Sequence, residues 1–197
     1  MYEYRKMTPA ERAAVLAERK AQGFPLHEPP HFEEGINAYM LTAACFEHKK
    51  MLTSANRLEE FTNALINGVQ SEAKAKLHAW VVLPNHYHLL VQVDLAVFRH
   101  WIGRLHNGKS TQWNREDGTP RRKVWYRFSD RKIRSDRHFY ASINYIHYNP
   151  VRHRCAKMES DWPWSSLLSY LYDVGHDKME EWWREYPIDD YGKGWDD

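Results

Sequence analysis

Residues 76–93, "KLHAWVVLPNHYHLLVQV", hold two apolar runs split by a proline and an asparagine. Pro84 and Asn85 are turn formers, so the runs read as an antiparallel hairpin with His86 just past its tip. Strand side chains alternate faces. His86, His88, Leu90 and Gln92 therefore share one face, and Tyr87, Leu89, Val91 and Val93 the other. Two neutral imidazoles side by side can hold one metal ion. They can equally form a hydrogen-bonded pair at a sheet end, and the spacing alone does not choose between the two.

Outward from the hairpin, the hydrophobic period switches in a set order. "INAYMLTAACF" (36–46) reads as a strand, and Asn56 with Glu59 caps a helix carrying Leu58, Phe61, Leu65 and Val69. After the hairpin, Leu95, Phe98, Trp101, Ile102 and Leu105 mark a second helix. A basic loop with Gly118 and Pro120 leads to a fourth strand near "VWYRFSDRKI". The order β-α-β-β-α-β predicts an α+β, ferredoxin-like antiparallel sheet with helices on one face. One helix is left over: Ser135 or Asp136 caps "DRHFYASINYIHYN", with Phe139, Ile143 and Ile146 as its buried stripe and an end near Asn149, before Pro150.

Three domains are expected: an N-terminal helical extension (1–35), a central domain (36–157) and a C-terminal tail (158–197). The extension opens with Thr8, Pro9, Ala10 and Glu11, a capping box with proline at the first helical position; its helix runs to about Ala21, ends at Gly23, and gives way to "FPLHEPPHFEEG". The tail is rich in tryptophan (Trp162, Trp164, Trp182, Trp183, Trp195).

The net charge of +2 hides a strong asymmetry. Arg104–Arg137 holds eleven Lys/Arg against four Asp/Glu, whereas Met158–Asp197 holds three against eleven. A basic middle interleaved with Trp113, Trp125, Tyr126 and Phe128 suits a polyanion whose bases stack on aromatics; it also suits a solvated charged face over a few core rings. The acidic tail reads as packing and solubility, or as a cover for that basic surface. Two cysteines, Cys45 and Cys155, without a CxxC, fit a reducing cytosol. No apolar leader or membrane-length run stands in the sequence, so a cytoplasmic protein with no membrane partner is expected.

On the leftover helix, at about 100° per residue from Phe139, Tyr145 falls near 240° and Asn149 near 280°, neighbours on one flank of the buried stripe. Tyr148, near 180°, points away from the core. Tyr145 and Asn149 can project together toward the sheet, or serve as helix packing and a polar terminus. His138 and Ser142 share their flank. His138 reads as a proton carrier for the phenol or as an ordinary surface histidine.

"LPNHYHLL" followed by "YIHYNPVR" some sixty residues later resembles the paired signature of the HUH single-tyrosine transposases, more closely their REP-associated branch. The resemblance spans roughly residues 36–170 and includes "DWPWSSLLSY". It departs from the family at Tyr87, where an aliphatic residue is commoner, in "RHRCA" after Val151, and at Asn149, whose amide is one methylene shorter than a glutamine's. The resemblance implies His86 and His88 as metal ligands, Asn149 as the third ligand, and Tyr145 as the nucleophile. It implies Mg²⁺ or Mn²⁺, single-stranded or hairpin DNA, and cleavage with strand transfer through a 5'-phosphotyrosine.

Arg121, Arg122, Lys123, Arg127, Arg131 and Lys132 are candidate phosphate contacts, and Trp125 or Tyr126 a candidate base platform. The chain contains neither GxxxxGK[ST] nor GxGxxG, so no nucleotide cofactor is expected. A monomer or homodimer is expected. Two alternatives remain: a domesticated hairpin-DNA-binding protein without cleavage activity, and an unrelated His-x-His metal hydrolase in which Tyr145 is structural.

Overall fold

The computed structural model describes residues 35–189 and 191, together with Thr8, Ala10, Glu11, Ala14 and Ala17. Met1–Glu34 forms one unit and Gly35–Asp197 another. In the first, the Thr8 backbone N–H donates to the Glu11 carboxylate at 2.6 Å and the Glu11 N–H donates back to the Thr8 hydroxyl at 3.3 Å, the reciprocal capping box read from sequence. The expected connector after Gly23 and Trp195 lie outside the described residues.

The second unit is built on a four-stranded antiparallel sheet in the order β2-β3-β1-β4: β1 Ile36–Ala44, β2 Lys76–Val82, β3 His86–Asp94 and β4 Ser129–Lys132. Helices α1 (Ala55–Ser71) and α2 (Leu95–Glu116) connect them in the expected ferredoxin-like order. The fourth strand is shorter than its apolar pattern suggested. Val124 and Trp125 leave the ladder for the core, and only an isolated bridge from Trp125 to Cys45 continues the pairing.

The alternation read along β3 holds. Tyr87, Leu89, Val91 and Val93 enter the core under α1 and α2, with Phe61, Leu65, Phe98, Trp101 and Trp113. Leu90 enters a second core on the opposite face, with Met40, Val81, Ile143, Tyr145 and Ile146. That second core is closed by α3, Asp136–Arg152, the leftover helix of the sequence pattern. His86 and His88 lie on this face, so the sheet's two sides are divided between packing and a candidate site.

Two local expectations need correction. The cap of α1 is Ser54, whose hydroxyl accepts from the Arg57 N–H at 3.2 Å; Asn56 sits inside the first turn. Both are good cap residues, and the extended backbone at Ser54 (φ −107°, ψ 151°) decides between them. The helix α3 does not stop before Pro150 but carries it inside, running to Arg152. Pro150 has no N–H to offer the Ile146 carbonyl, yet the helix continues through it and closes with the His153 N–H on the Asn149 carbonyl at 3.0 Å. Tyr148 points away from the core as expected: it is half-buried and belongs to neither core, and its ring meets that of Trp183 at 5.8 Å between centroids, because the tail covers the outer side of α3.

The tail does this through two helices, α4 (Leu167–Asp173) and α5 (His176–Glu185). Ahead of them, "DWPWSS" (161–166) lies along the open edge of β2. The Val82 N–H donates to the Trp164 carbonyl at 2.9 Å, and the Ser166 N–H to the Trp80 carbonyl at 3.0 Å. Satisfying edge donors and acceptors in this way removes a surface that would otherwise pair with other chains. From α3, Asn144 donates to the carbonyls of Trp182 and Tyr186 at 3.0 and 2.9 Å. Among the described residues, no helix is long and apolar enough to cross a membrane.

Candidate active site

The site lies where the start of β3 meets the last turns of α3. His86 and His88 are both buried, with ring centroids 5.0 Å apart and planes at 76°. Each is held through Nδ1. Asn85 Oδ1 stands 2.8 Å from His86 Nδ1, and the Thr42 hydroxyl 2.7 Å from His88 Nδ1. Thr42 is there because β1 pairs with β3 in a register that sets it opposite His88. With Nδ1 occupied, Nε2 is the nitrogen that each ring can offer to a ligand.

Asn149 reaches the same point from α3: its Oδ1 is 3.0 Å from His86 Nε2. Tyr145, one turn earlier, sets its ring centroid 5.3 Å from that of His88. The four residues matched by the sequence resemblance are therefore brought together from the hairpin and the helix. The Arg152 guanidinium lies over the Tyr145 ring at 5.5 Å, putting a fixed positive charge beside the phenol.

The residues fit a divalent cation. An octahedral ion with ligands at about 2.0–2.1 Å sets adjacent ligand atoms about 3 Å apart, close to the separation of His86 Nε2 and Asn149 Oδ1. Among the described residues no group of three or more His, Cys, Asp or Glu side chains forms a metal cluster. A cation held here would have two imidazoles and an amide oxygen, leaving positions for phosphate oxygens or water.

Tyr145 is 0 % exposed. Part of its cover is Tyr191 from the tail, whose ring centroid lies 5.5 Å away and whose hydroxyl is hydrogen-bonded to that of Ser142. Burial raises the Tyr191 phenol pKa. His138, considered from sequence as a proton carrier for Tyr145, meets Tyr191 instead, with ring centroids 5.8 Å apart. Burial and the neighbouring Arg131 and Arg134 lower its pKa.

Three residues at the site were not singled out as site residues from sequence. Thr42 looked like any strand threonine and Asn85 like a turn former; only strand register and tertiary contact give them their partners. The third, His153, sets its ring 4.7 Å from that of His86. It lies beyond Pro150, where the helix was expected to have ended.

The candidate DNA contacts separate. Trp125 is only 7 % exposed and stacks on His106 (4.3 Å, 7°) inside the core, so it presents no face to a base. Burial alone drives the pKa of that histidine down to about 3, and its Nε2 lies 3.0 Å from the Tyr87 hydroxyl. Arg122 is tied down by Asn114 (3.0 Å) and Asp117 (2.7 Å). Arg121, Lys123, Arg127 and Arg131 are exposed and Lys132 half-buried. Arg131 pairs with Met40 on the histidine face of the sheet, whereas Lys132 pairs with Tyr39 of the opposite face. Lys123 lies over Phe46 at 4.6 Å and near Tyr126 at 5.7 Å. These two half-buried rings stand 5.0 Å apart, which keeps Tyr126 as the aromatic candidate.

A ferredoxin-like sheet carrying a histidine pair, faced by a helix carrying a tyrosine and an asparagine, defines the class to which this chain is similar. Comparison with known proteins makes the likeness particular. A protein of Haemophilus influenzae, named provisionally as a REP-associated tyrosine transposase, is 31% identical over 101 residues, 44% of this chain and 55% of that one. A REP-associated tyrosine transposase of Escherichia coli is 30% identical over 103 residues, 50% of this chain and 58% of that one. The chain thus spans somewhat over half the length of these relatives. A solved structure of a REP-associated tyrosine transposase bound to a REP hairpin shares the fold, with a TM-score of 0.58 at 22% identity over 76% of this chain and 87% of that one. No protein-family model matches. The resemblance to the REP-associated branch, read first from two short motifs, is borne out.

Proposed function

We propose that this protein cleaves and rejoins single-stranded or hairpin DNA in a divalent-metal-dependent reaction, with Tyr145 as the nucleophile. One observation carries the reading: the hairpin histidines and the helix-borne Tyr145 and Asn149 converge, with Asn149 Oδ1 3.0 Å from His86 Nε2 and the Tyr145 ring 5.3 Å from His88. The similarity to REP-associated tyrosine transposases supports it.

His86, His88 and Asn149 would hold Mg²⁺ or Mn²⁺. When bound, the ion offsets the charge that accumulates on a non-bridging phosphate oxygen and orients the phosphodiester. The Tyr145 oxygen attacks phosphorus, the bond to the 3' oxygen breaks, and the phenolic proton is lost as the leaving 3' oxygen gains one. The product is a 5'-phosphotyrosine and a free 3' hydroxyl, so the bond energy is kept for rejoining. A phenol with an ordinary pKa near 10 is a poor nucleophile at neutral pH, which is why the phosphate must be activated and aligned. Arg152, over the Tyr145 ring, supplies positive charge for an approaching phosphate. Arg121, Lys123, Arg127 and Arg131 are the candidates for gripping the rest of the strand.

The complete burial of Tyr145 favours a second reading, in which hairpin DNA is bound but not cut. Incubating the protein with Mn²⁺ and a labelled hairpin oligonucleotide separates the possibilities. A denaturation-resistant adduct that disappears in Tyr145→Phe supports the proposal. Binding without an adduct supports the second reading, and cleavage that survives Tyr145→Phe points to a water nucleophile.

A further inference from the structure

We propose that Asn85 is a positioning residue that fixes the proton of His86 on Nδ1, so that the Nε2 lone pair is presented to the cation. The inference deepens the metal-dependent reading above and rests on it.

Asn85 joins the His48 carbonyl to His86 through two hydrogen bonds whose directions its amide fixes. Asn85 Nδ2 donates to the His48 carbonyl at 3.2 Å, and a carbonyl oxygen can only accept. That contact settles which end of the Asn85 amide is nitrogen. The other end, Oδ1, stands 2.8 Å from His86 Nδ1 and can itself only accept. The proton between them therefore belongs to His86 Nδ1, and in the neutral ring Nε2 is left with its electron pair. At Nε2, the Asn149 carbonyl oxygen is 3.0 Å away. With Oδ1 there, two electron-pair donors face a common point that a cation would bridge; without one, turning the Asn149 amide sets its Nδ2, which has no other hydrogen-bond partner, to donate to Nε2.

The surrounding backbone is built to hold Asn85 in this role. His48, whose carbonyl this is, is the second of two successive non-glycine residues in the left-handed region, Glu47 (φ 56) and His48 (φ 50). Such conformations are costly and persist where surrounding contacts enforce them. The contacts here are the turn's own carbonyls: Asn85 O accepts from the Cys45 N–H at 2.7 Å, and Pro84 O from the Met51 and Leu52 N–H groups at 2.9 and 3.0 Å. The loop after β1 and the β2–β3 turn thus clamp each other, and the Asn85 side chain spans the clamp to reach His86. If Asn85 is removed, the proton is free to move to Nε2, where Asn149 Oδ1 would accept it. The resulting His86–Asn149 hydrogen bond would occupy the atoms that the cation needs.

The test uses the full chain and reads the proton and the metal separately. Long-range ¹H–¹⁵N correlation spectra of metal-free wild type should show His86 protonated at Nδ1. Titration with MnCl₂ alone, followed calorimetrically, should give a Kd about 10–100-fold weaker for Asn85→Ala. Asn85→Asp keeps the acceptor and loses the donor, and should hold Mn²⁺ near the wild-type level. An Nε2 proton in the wild type, wild-type affinity in Asn85→Ala, or an Asn85→Asp as weak as Asn85→Ala overturns the role of Asn85. A wild type that binds no Mn²⁺ overturns the metal reading beneath it. If Asn85→Ala fails to fold, the wild-type spectrum and Asn85→Asp still decide.

Discussion

Thr42→Val tests the histidine face of the sheet with little steric disturbance. Valine replaces a hydroxyl by a methyl, suits a strand, and leaves no cavity, so packing changes little. What is lost is the 2.7 Å contact with Nδ1 of His88, a ring that is 0 % exposed. Taking a partner from a buried polar atom costs about 1–3 kcal/mol, because water cannot replace it. For a unit of this size each kcal/mol shifts the midpoint by about 2–4 °C, so thermal unfolding should move down by roughly 2–12 °C. The His88 ring also loses its orienting hydrogen bond. Mn²⁺ should therefore bind about 10–100-fold more weakly, equivalent to about 1.4–2.7 kcal/mol. Circular dichroism melts and calorimetric Mn²⁺ titration of the two proteins give both numbers. A variant that melts with the wild type and binds Mn²⁺ equally well would refute the assignment of Thr42 as the residue holding His88.

Other perturbations probe the frame around the site. In Gly68→Ala the new Cβ would meet the Trp101 indole at 2.6–2.9 Å; overpacking at about 1–3 kcal/mol set against a helix-propensity gain of about 1 kcal/mol gives a net loss of about 0–2 kcal/mol in urea denaturation. Hydrogen bonds from Arg57 and Arg122 hold the Asp117 carboxyl at about 2, below its ordinary value. Its contribution is therefore complete above about pH 4 and lost as pH falls toward 2. Over that window wild type should shed about 1–2 kcal/mol more than Asp117→Asn, after allowance for solvent screening. Tyr191→Ala removes one aromatic contact worth about 0.5–1.5 kcal/mol from the cover of Tyr145 and should raise the initial rate of adduct formation about two- to tenfold. An unchanged rate would mean that Tyr191 does not gate the phenol.

Much of this arrangement was legible because it rests on periodicity. Two-residue alternation along residues 86–93 assigns the faces of His86, Tyr87 and Leu90, and the order of strands and helices implies the sheet. Angular position on the leftover helix placed Tyr145 beside Asn149, and the packing of α3 on the histidine face brought both to the site. Features that depend on tertiary context were not legible. Trp125 sits in a basic, aromatic stretch that reads as a binding surface, yet the chain turns it inward onto His106. Pro150 normally signals a helix end, yet α3 carries it inside and runs on to Arg152. Tyr148 points away from the core as its angle implies, but its cover was not legible, because the acidic stretch that supplies α5 has no evident pairing target in sequence.

The most direct test of the central claim is the location of the covalent bond. Wild-type protein incubated with Mn²⁺ and a hairpin oligonucleotide, trapped by denaturation, digested with nuclease and protease and analysed by tandem mass spectrometry, should yield one modified peptide. It should carry a 5'-linked nucleotide on Tyr145, the tyrosine whose ring lies 5.3 Å from that of His88. A nucleotide found on Tyr148 or another tyrosine, or cleaved DNA with no modified peptide, would contradict the account.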